Sequence, residues 1–263
     1  MPKKENSKER RRPTKSSINS VEIKQDTIAR HLFGLKPVFR LAIFGPPGSG
    51  KTTLLTDFIE HIDAYFDADD VKVLYCYSSL KPDFRTEVYL HRGVPAVSDI
   101  ISLSSSAENL VVVFDDLLTD FANLSPEEKS AYSSFVTDYS RKLNISCILV
   151  SQEIYHTKAD FLRQFIKAMS HVILFRISTD RLSLQRFATQ VYAHNRSHFL
   201  TSYHRATEGG IGGYLTVPLS LPAPDQSMDM HLRNFMTVPR QGYSKTFSTV
   251  FRRANNFIYE DRT

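Results

Sequence analysis

Residues 45–52 read Gly45-Pro46-Pro47-Gly48-Ser49-Gly50-Lys51-Thr52, a full G-x-x-x-x-G-K-[ST] pattern, and this octet constrains the fold more than any other feature of the chain. The pattern needs one setting: it must leave the end of a strand and open a helix. Its glycines then let the backbone curl until successive N–H groups point inward at phosphate oxygens, at the positive end of the following helix. Residues 39–44 read as such a strand and residues 52–66 as such a helix. The reading is a site for the phosphates of ATP built from Gly45, Pro46, Pro47, Gly48, Ser49, Gly50, Lys51, Thr52 and Thr53. In it Lys51 reaches the β and γ phosphates and the Thr52 hydroxyl ligates Mg2+.

From residue 39 onward, short β-rich apolar runs alternate with longer helical stretches, the sequence sign of a parallel sheet covered by helices. Residues 39–44, 71–77, 110–114, 145–150 and 171–175 are nearly continuous in hydrophobicity, as strands buried on both faces are. Helices are predicted at about 52–66, 126–142, 158–169, 180–192 and 197–207, with a further strand at 214–219 beyond the glycines Gly209, Gly210, Gly212 and Gly213. Ser125-Pro126-Glu127-Glu128 is a helix start on three counts: a capping hydroxyl, a proline fitted to the first turn, and acids at the positive end of the dipole. The fold class expected is α/β: a P-loop NTPase with a mostly parallel central sheet, helices on both faces and a RecA/FtsK-like core.

A second signal lies in Asn109-Leu110-Val111-Val112-Val113-Phe114-Asp115-Asp116, an apolar strand ending in two carboxylates. Behind a P-loop, Asp115 is the candidate to hold Mg2+ through its water shell and Asp116 the candidate to polarise the attacking water. Asp116 has a plainer alternative, capping the segment that follows. Along the chain, strand 71–77 falls between the P-loop strand and the acidic strand, which favours the branch of P-loop proteins with an added strand between those two. Members of that branch usually carry a polar sensor at the end of the next strand. Gln152 stands there, placed for the γ-phosphate and the attacking water, or else as an ordinary loop amide.

The net charge of +5 is not spread over the molecule. Lys3, Lys4, Lys8, Arg10, Arg11, Arg12 and Lys15, against Glu5 and Glu9, supply all of it, and the other residues carry 26 charges of each sign. Residues 1–36 are therefore a basic arm and lead-in with too few apolar residues to bury, for which disorder is expected. Nuclear import, contact with nucleic-acid phosphates, or mere solubility are its open roles. Residues 37–242 are assigned to the ATPase domain, with residues 221–242 an irregular strap over it. Residues 243–263 form a tail of interleaved aromatic and basic groups, either a short amphipathic helix or an assembly contact. Absence of a 20-residue apolar run and of an apolar leader predicts an intracellular protein that does not enter membranes. Cys76 and Cys147 sit inside strand-like runs and read as small buried hydrophobes, and the nine histidines show no metal-ligand spacing.

Together with the P-loop, Val113-Phe114-Asp115-Asp116-Leu117 and Asn144 through Gln152, a later series of short ordered matches covers residues 39–239. It comprises Phe175-Arg176, Phe187-Ala188 with Gln190 and Tyr192, Ser197-His198-Phe199-Leu200, Ala206-Thr207, Gly213-Tyr214-Leu215 and Arg233-Asn234. In these the chain resembles the FtsK/HerA-like DNA-packaging ATPases of double-stranded DNA viruses, particularly the form carried by Polinton-like and adintovirus-like elements. The resemblance implies a homo-oligomeric ring that drives double-stranded DNA into a preformed capsid, with a capsid protein as partner and the host nucleus and site of virion assembly as location. It also implies an arginine acting across a subunit boundary. The family often has a basic residue where this chain has Thr179, which leaves Arg176, Arg181 or, before strand 145–150, Arg141 for that role. Two other readings stay open: a P-loop nucleoside or polynucleotide kinase, and an ATP-switched DNA-binding scaffold. Gln152 and the paired acids favour hydrolysis, since a kinase must keep water from the phosphate.

Overall fold

The computed structural model describes residues 35, 37–62, 66, 70–79, 81–155, 160–178, 180–192, 196–208 and 212–219, and three later strands at 230–233, 249–252 and 258–260. The basic arm, Thr179, Gly209, Gly210 and most of the strap and tail lie outside the described residues. Ten strands form one sheet: β1 (Arg40–Phe44), β2 (Val71–Tyr77), β3 (Tyr89–Arg92), β4 (Asn109–Asp115), β5 (Ile145–Ser151), β6 (His171–Phe175), β7 (Tyr214–Pro218), β8 (Met230–Arg233), β9 (Thr249–Arg252) and β10 (Ile258–Glu260). Their order is β10-β9-β8-β7-β6-β1-β5-β4-β2-β3. The six from β6 to β3 are parallel, and β7 to β10 add antiparallel to the β6 side.

In this order the strand that separates β1 from β4 is β5, not β2. The added-strand arrangement expected from the sequence is present, but its added strand is β5, the one that Gln152 directly follows. β2 lies on the far side of β4.

Alternation along each parallel strand divides the core in two. Ala42, Phe44, Val112, Phe114, Cys147, Leu149, Val172 and Leu174 face one layer of helices. These are α2 (Val97–Ser104), α3 (Leu118–Asn123), α4 (Pro126–Ser134), α5 (Asp160–Ala168), α6 (Arg181–Val191) and α7 (Arg196–Thr207). Leu41, Ile43, Val111, Val113, Ile148 and Val150 face α1 (Lys51–Glu60), which returns Leu54, Leu55, Phe58 and Ile59. Phe39 closes that layer by edge contacts to Phe58 and Phe66.

Several elements depart from expectation. The first helix stops at Glu60 rather than 66, and Phe66 instead makes an isolated parallel bridge to Leu35. The predicted helix 126–142 begins with a complete capping box, Ser125 N–H donating to Glu128 Oε2 at 2.8 Å and Ser125 Oγ accepting from the Glu128 N–H at 3.2 Å. It then widens into a π-helical segment, Phe135–Tyr139, before a last α turn, Ser140–Lys142. β3, α2 and α3 have no counterpart among the predicted elements: β3 is a four-residue edge strand with mostly exposed side chains, so it lacks a buried strand's pattern. Strands occupy 230–233 within the strap and 249–252 and 258–260 within the tail, which replaces the amphipathic-helix alternative at those tail residues.

Candidate active site at the carboxyl edge of the sheet

Because β1, β4, β5 and β6 are parallel and in close register, their ends deliver loops to one edge. Phe44 pairs with Ser151 and Leu174, and Asp115 pairs with Val150 and Tyr77. Ligands of open α/β sheets bind at this carboxyl edge.

The loop after β1 is tied to β5 by the Gly45 N–H, which donates to the Ser151 carbonyl at 3.2 Å. Gly48 and Gly50 have φ of 73° and 101°, left-handed values that a side chain resists. Gly45 is needed for a different reason: a Cβ there would lie 2.6 Å from Phe175 Cβ. Gly50 is the N-cap of α1 and supplies no side-chain cap. Lys51 Nζ donates to the carbonyls of Gly45 at 2.7 Å and Pro46 at 2.9 Å. Burial lowers the Lys51 pKa, and the charges of Asp116 and Asp115 push the other way. Ser49 Oγ is buried with no hydrogen-bond partner among the described residues, while Thr52 and Thr53 are exposed at the helix start.

The two adjacent acids have different surroundings. Asp115 is partly buried and accepts a 2.5 Å bond from the Tyr75 hydroxyl on Oδ2. Burial raises its pKa above the ordinary carboxylate range; the Tyr75 bond and Lys51 oppose the rise, and Asp116 adds to it. Asp116 is exposed, with a left-handed φ of 55°, a conformation Asp tolerates better than most residues. Its N–H donates to the Val150 carbonyl at 3.2 Å and its Oδ2 accepts from Gln152 Nε2 at 2.9 Å. It does not cap the next segment: the N-cap of α3 is Leu117, with no side-chain bond. Gln152 is thus joined to the acidic pair across the strand boundary rather than standing alone in its loop.

The arginines divide. Arg176 follows β6 directly and lines a cleft of about 390 Å³ together with Pro46, Pro47, Gly48, Ser49 and the Gly212-Gly213 turn. Arg181 is the exposed first residue of α6, beside the N-cap Asp180. Arg141 lies before the start of β5, at the opposite edge of the sheet, one strand length or roughly 20 Å from the loops. Within the chain the fold therefore brings Arg176 to the P-loop and keeps Arg141 away.

Thr52 and Asp115 offer hard oxygen donors, and no cluster of three or more His, Cys, Asp or Glu among the described residues could hold a metal alone. That set fits Mg2+, which keeps several waters and takes one or two protein oxygens beside phosphate. The orphaned Ser49 hydroxyl fits a loop built to face an anion. The site residues not anticipated from sequence are Tyr75, Phe175 and Gly212. Phe175 and Gly212 stood in the motif series and the glycine cluster without a site role, and the signal for Tyr75 is that of a polar-tipped side chain in a buried strand, which must find a partner.

A parallel sheet with β5 inserted between the P-loop strand and the acidic strand defines the class of this chain: the α/β fold of the P-loop NTPases. Its sequence matches no family model and no curated protein. Among solved structures it is similar to the genome packaging NTPase B204 from Sulfolobus turreted icosahedral virus 2, with 13% identity over 70% of this chain and 94% of that one, at a TM-score of 0.47. It is also similar to EccC (ATPases 2 and 3) of Thermomonospora curvata, with 13% identity over 53% and 30% and a TM-score of 0.36. A third, the cytoplasmic domain of EssC, gives 14%, 56% and 33%, and 0.38. The fold assignment rests on the strand order and the P-loop rather than on these likenesses.

Proposed function

We propose that this chain hydrolyses ATP and uses the energy to move double-stranded DNA into a viral capsid, as a ring-forming member of the FtsK/HerA-like packaging ATPases of the Polinton-like type. The observation that carries hydrolysis is the bond between Gln152 and Asp116 beside the P-loop. It sets a carboxylate and an amide together where an attacking water would be held, a constellation that a kinase avoids. Thr52 and Asp115 would hold Mg2+, which would supply neutralisation of the charge that develops on the phosphate. Lys51 exchanges its two carbonyl acceptors for β and γ phosphate oxygens. Asp116 accepts the proton of the attacking water, and Gln152 orients that water against the γ-phosphate. The DNA, ring and capsid parts of the reading draw on the motif series from Phe175 to Asn234 and on the basic arm, as do the nucleus and the site of virion assembly as location. No helix among the described residues is long and apolar enough to cross a membrane.

Phosphate release from ATP, measured with and without duplex DNA, tests the reading. Turnover stimulated by DNA is expected. Transfer of the γ-phosphate to a nucleoside or polynucleotide end would establish the kinase instead, and nucleotide-dependent DNA binding with no turnover would establish the scaffold.

A further inference from the structure

Tyr75 is the most deeply buried polar-tipped side chain near the candidate site, with no measurable exposure, yet its hydroxyl does not go to backbone. The cross-strand register explains where it goes. Tyr75 on β2 is paired with Val113 on β4, and Asp115 is paired with Tyr77, so Tyr75 and Asp115 are diagonal neighbours on the face that packs against α1. The gap between diagonal neighbours on adjacent strands is one that an aromatic or long side chain spans and short ones do not. The ring is held from the side by Phe84, at 5.1 Å between centroids. Its hydroxyl then meets Oδ2 of Asp115 at 2.5 Å.

We propose that Tyr75 is a positioning residue for the Mg2+ site: by holding Oδ2 of Asp115 it fixes the carboxylate's rotation and leaves Oδ1 as the oxygen that accepts from the cation's water shell. The inference rests on the nucleotide-site reading above and deepens it by one residue. A carboxylate at a strand end turns about its side-chain bonds unless something outside its own strand restrains it, and outer-shell partners of this kind commonly change metal affinity by about 10–100-fold. The effect of Tyr75 is transmitted wholly through Asp115.

The test is the Mg2+ dependence of binding of a fluorescent, non-hydrolysable ATP analogue. In Tyr75→Phe, which keeps the ring, half-saturating Mg2+ is expected to rise on the order of tenfold, while affinity for the analogue in excess chelator stays at the wild-type value. Phe84→Leu, which loosens the ring packing and keeps the hydroxyl, is expected to shift the Mg2+ dependence by less than Tyr75→Phe does. In an Asp115→Asn background, Tyr75→Phe should add no further shift. An unchanged Mg2+ requirement in Tyr75→Phe, equal weakening with and without Mg2+, an equal shift in Phe84→Leu, or an additive effect on Asp115→Asn would each overturn the assignment. Failure of the parent reading looks different: the wild-type chain itself would then show no binding of the analogue that Lys51→Ala weakens.

Discussion

Asp115 and Asp116 show how two identical side chains, one residue apart, come to lie in different surroundings. Asp115 ends a strand, half-buried and bonded to a tyrosine; Asp116 has turned into the left-handed region, exposed and bonded to Gln152. Asp116→Asn is therefore expected to keep Mg-nucleotide binding and to lower turnover by about 10²–10⁴-fold, the range for loss of a general base. Asp115→Asn should also raise the Mg2+ requirement of binding, and identical binding and rate profiles for the two variants would remove the division. A separate residue-scale effect belongs to His171 at the start of β6, whose imidazole is pushed down to about 4 by burial. A group whose folded pKa lies below its unfolded value of about 6.5 is held neutral by the fold, so its contribution is full above pH 6.5 and is lost as the pH falls toward 4. Denaturant unfolding across that window should show stability falling with acid, by an amount on the order of 3 kcal/mol, and His171→Phe should flatten the slope. The acidic pair and the P-loop were legible in the sequence because their chemistry is local. Tyr75 was not, because only the β2–β4 register brings it to Asp115.

At the scale of elements, α4 is held at one end by chemistry written into four consecutive residues and at the other by a residue from a distant strand. Ser125→Ala removes half of the capping box and is expected to cost about 1 kcal/mol, read as a shift of the unfolding midpoint at unchanged m-value. The π-helical segment at the other end meets Arg40 on β1, 96 residues earlier than Val136, a contact that no local pattern announces. The guanidinium enters the core beneath the helix and donates to the Val136 carbonyl at 2.6 Å and to Ser140 Oγ at 2.8 Å. Phe135 and Val136 in this segment are both buried. The same contrast runs through the sheet. Strands buried on both faces announced themselves within a residue or so of their ends, since continuous hydrophobicity is a property of the strand itself. β3 took its place from pairing with β2 at an exposed edge and leaves no buried pattern to read, and β8 to β10 took theirs from successive antiparallel pairing outward from β7.

At the scale of the whole molecule, the charge distribution and the placement of the arginines make separable claims about DNA and about assembly. If the arm touches phosphates, deleting residues 1–16 should lower affinity for duplex DNA and flatten its salt dependence by about 0.9 in slope for each phosphate that is no longer neutralised. Unchanged DNA binding with loss of nuclear entry would assign the arm to import. Assembly is tested through the arginines. Arg176 lies in the cleft of its own chain's P-loop, Arg181 opens a neighbouring helix, and Arg141 stands at the far edge of the sheet, away from its own chain's P-loop. In a ring with shared sites, specific ATPase activity should rise with protein concentration and again on duplex DNA, whose backbone can bridge several subunits. Mixing Lys51→Ala with each arginine-to-alanine variant then separates the roles. A subunit with an intact P-loop but no finger regains activity beside a neighbour that has the finger and no P-loop, whereas an arginine acting on its own subunit's nucleotide cannot be rescued that way. By this geometry recovery is expected with Arg141→Ala and not with Arg176→Ala. Recovery with Arg176→Ala alone would reverse that assignment, and full activity in all three arginine variants would exclude these residues as the shared group. A monomer hydrolysing ATP at a specific rate independent of its concentration would exclude the ring.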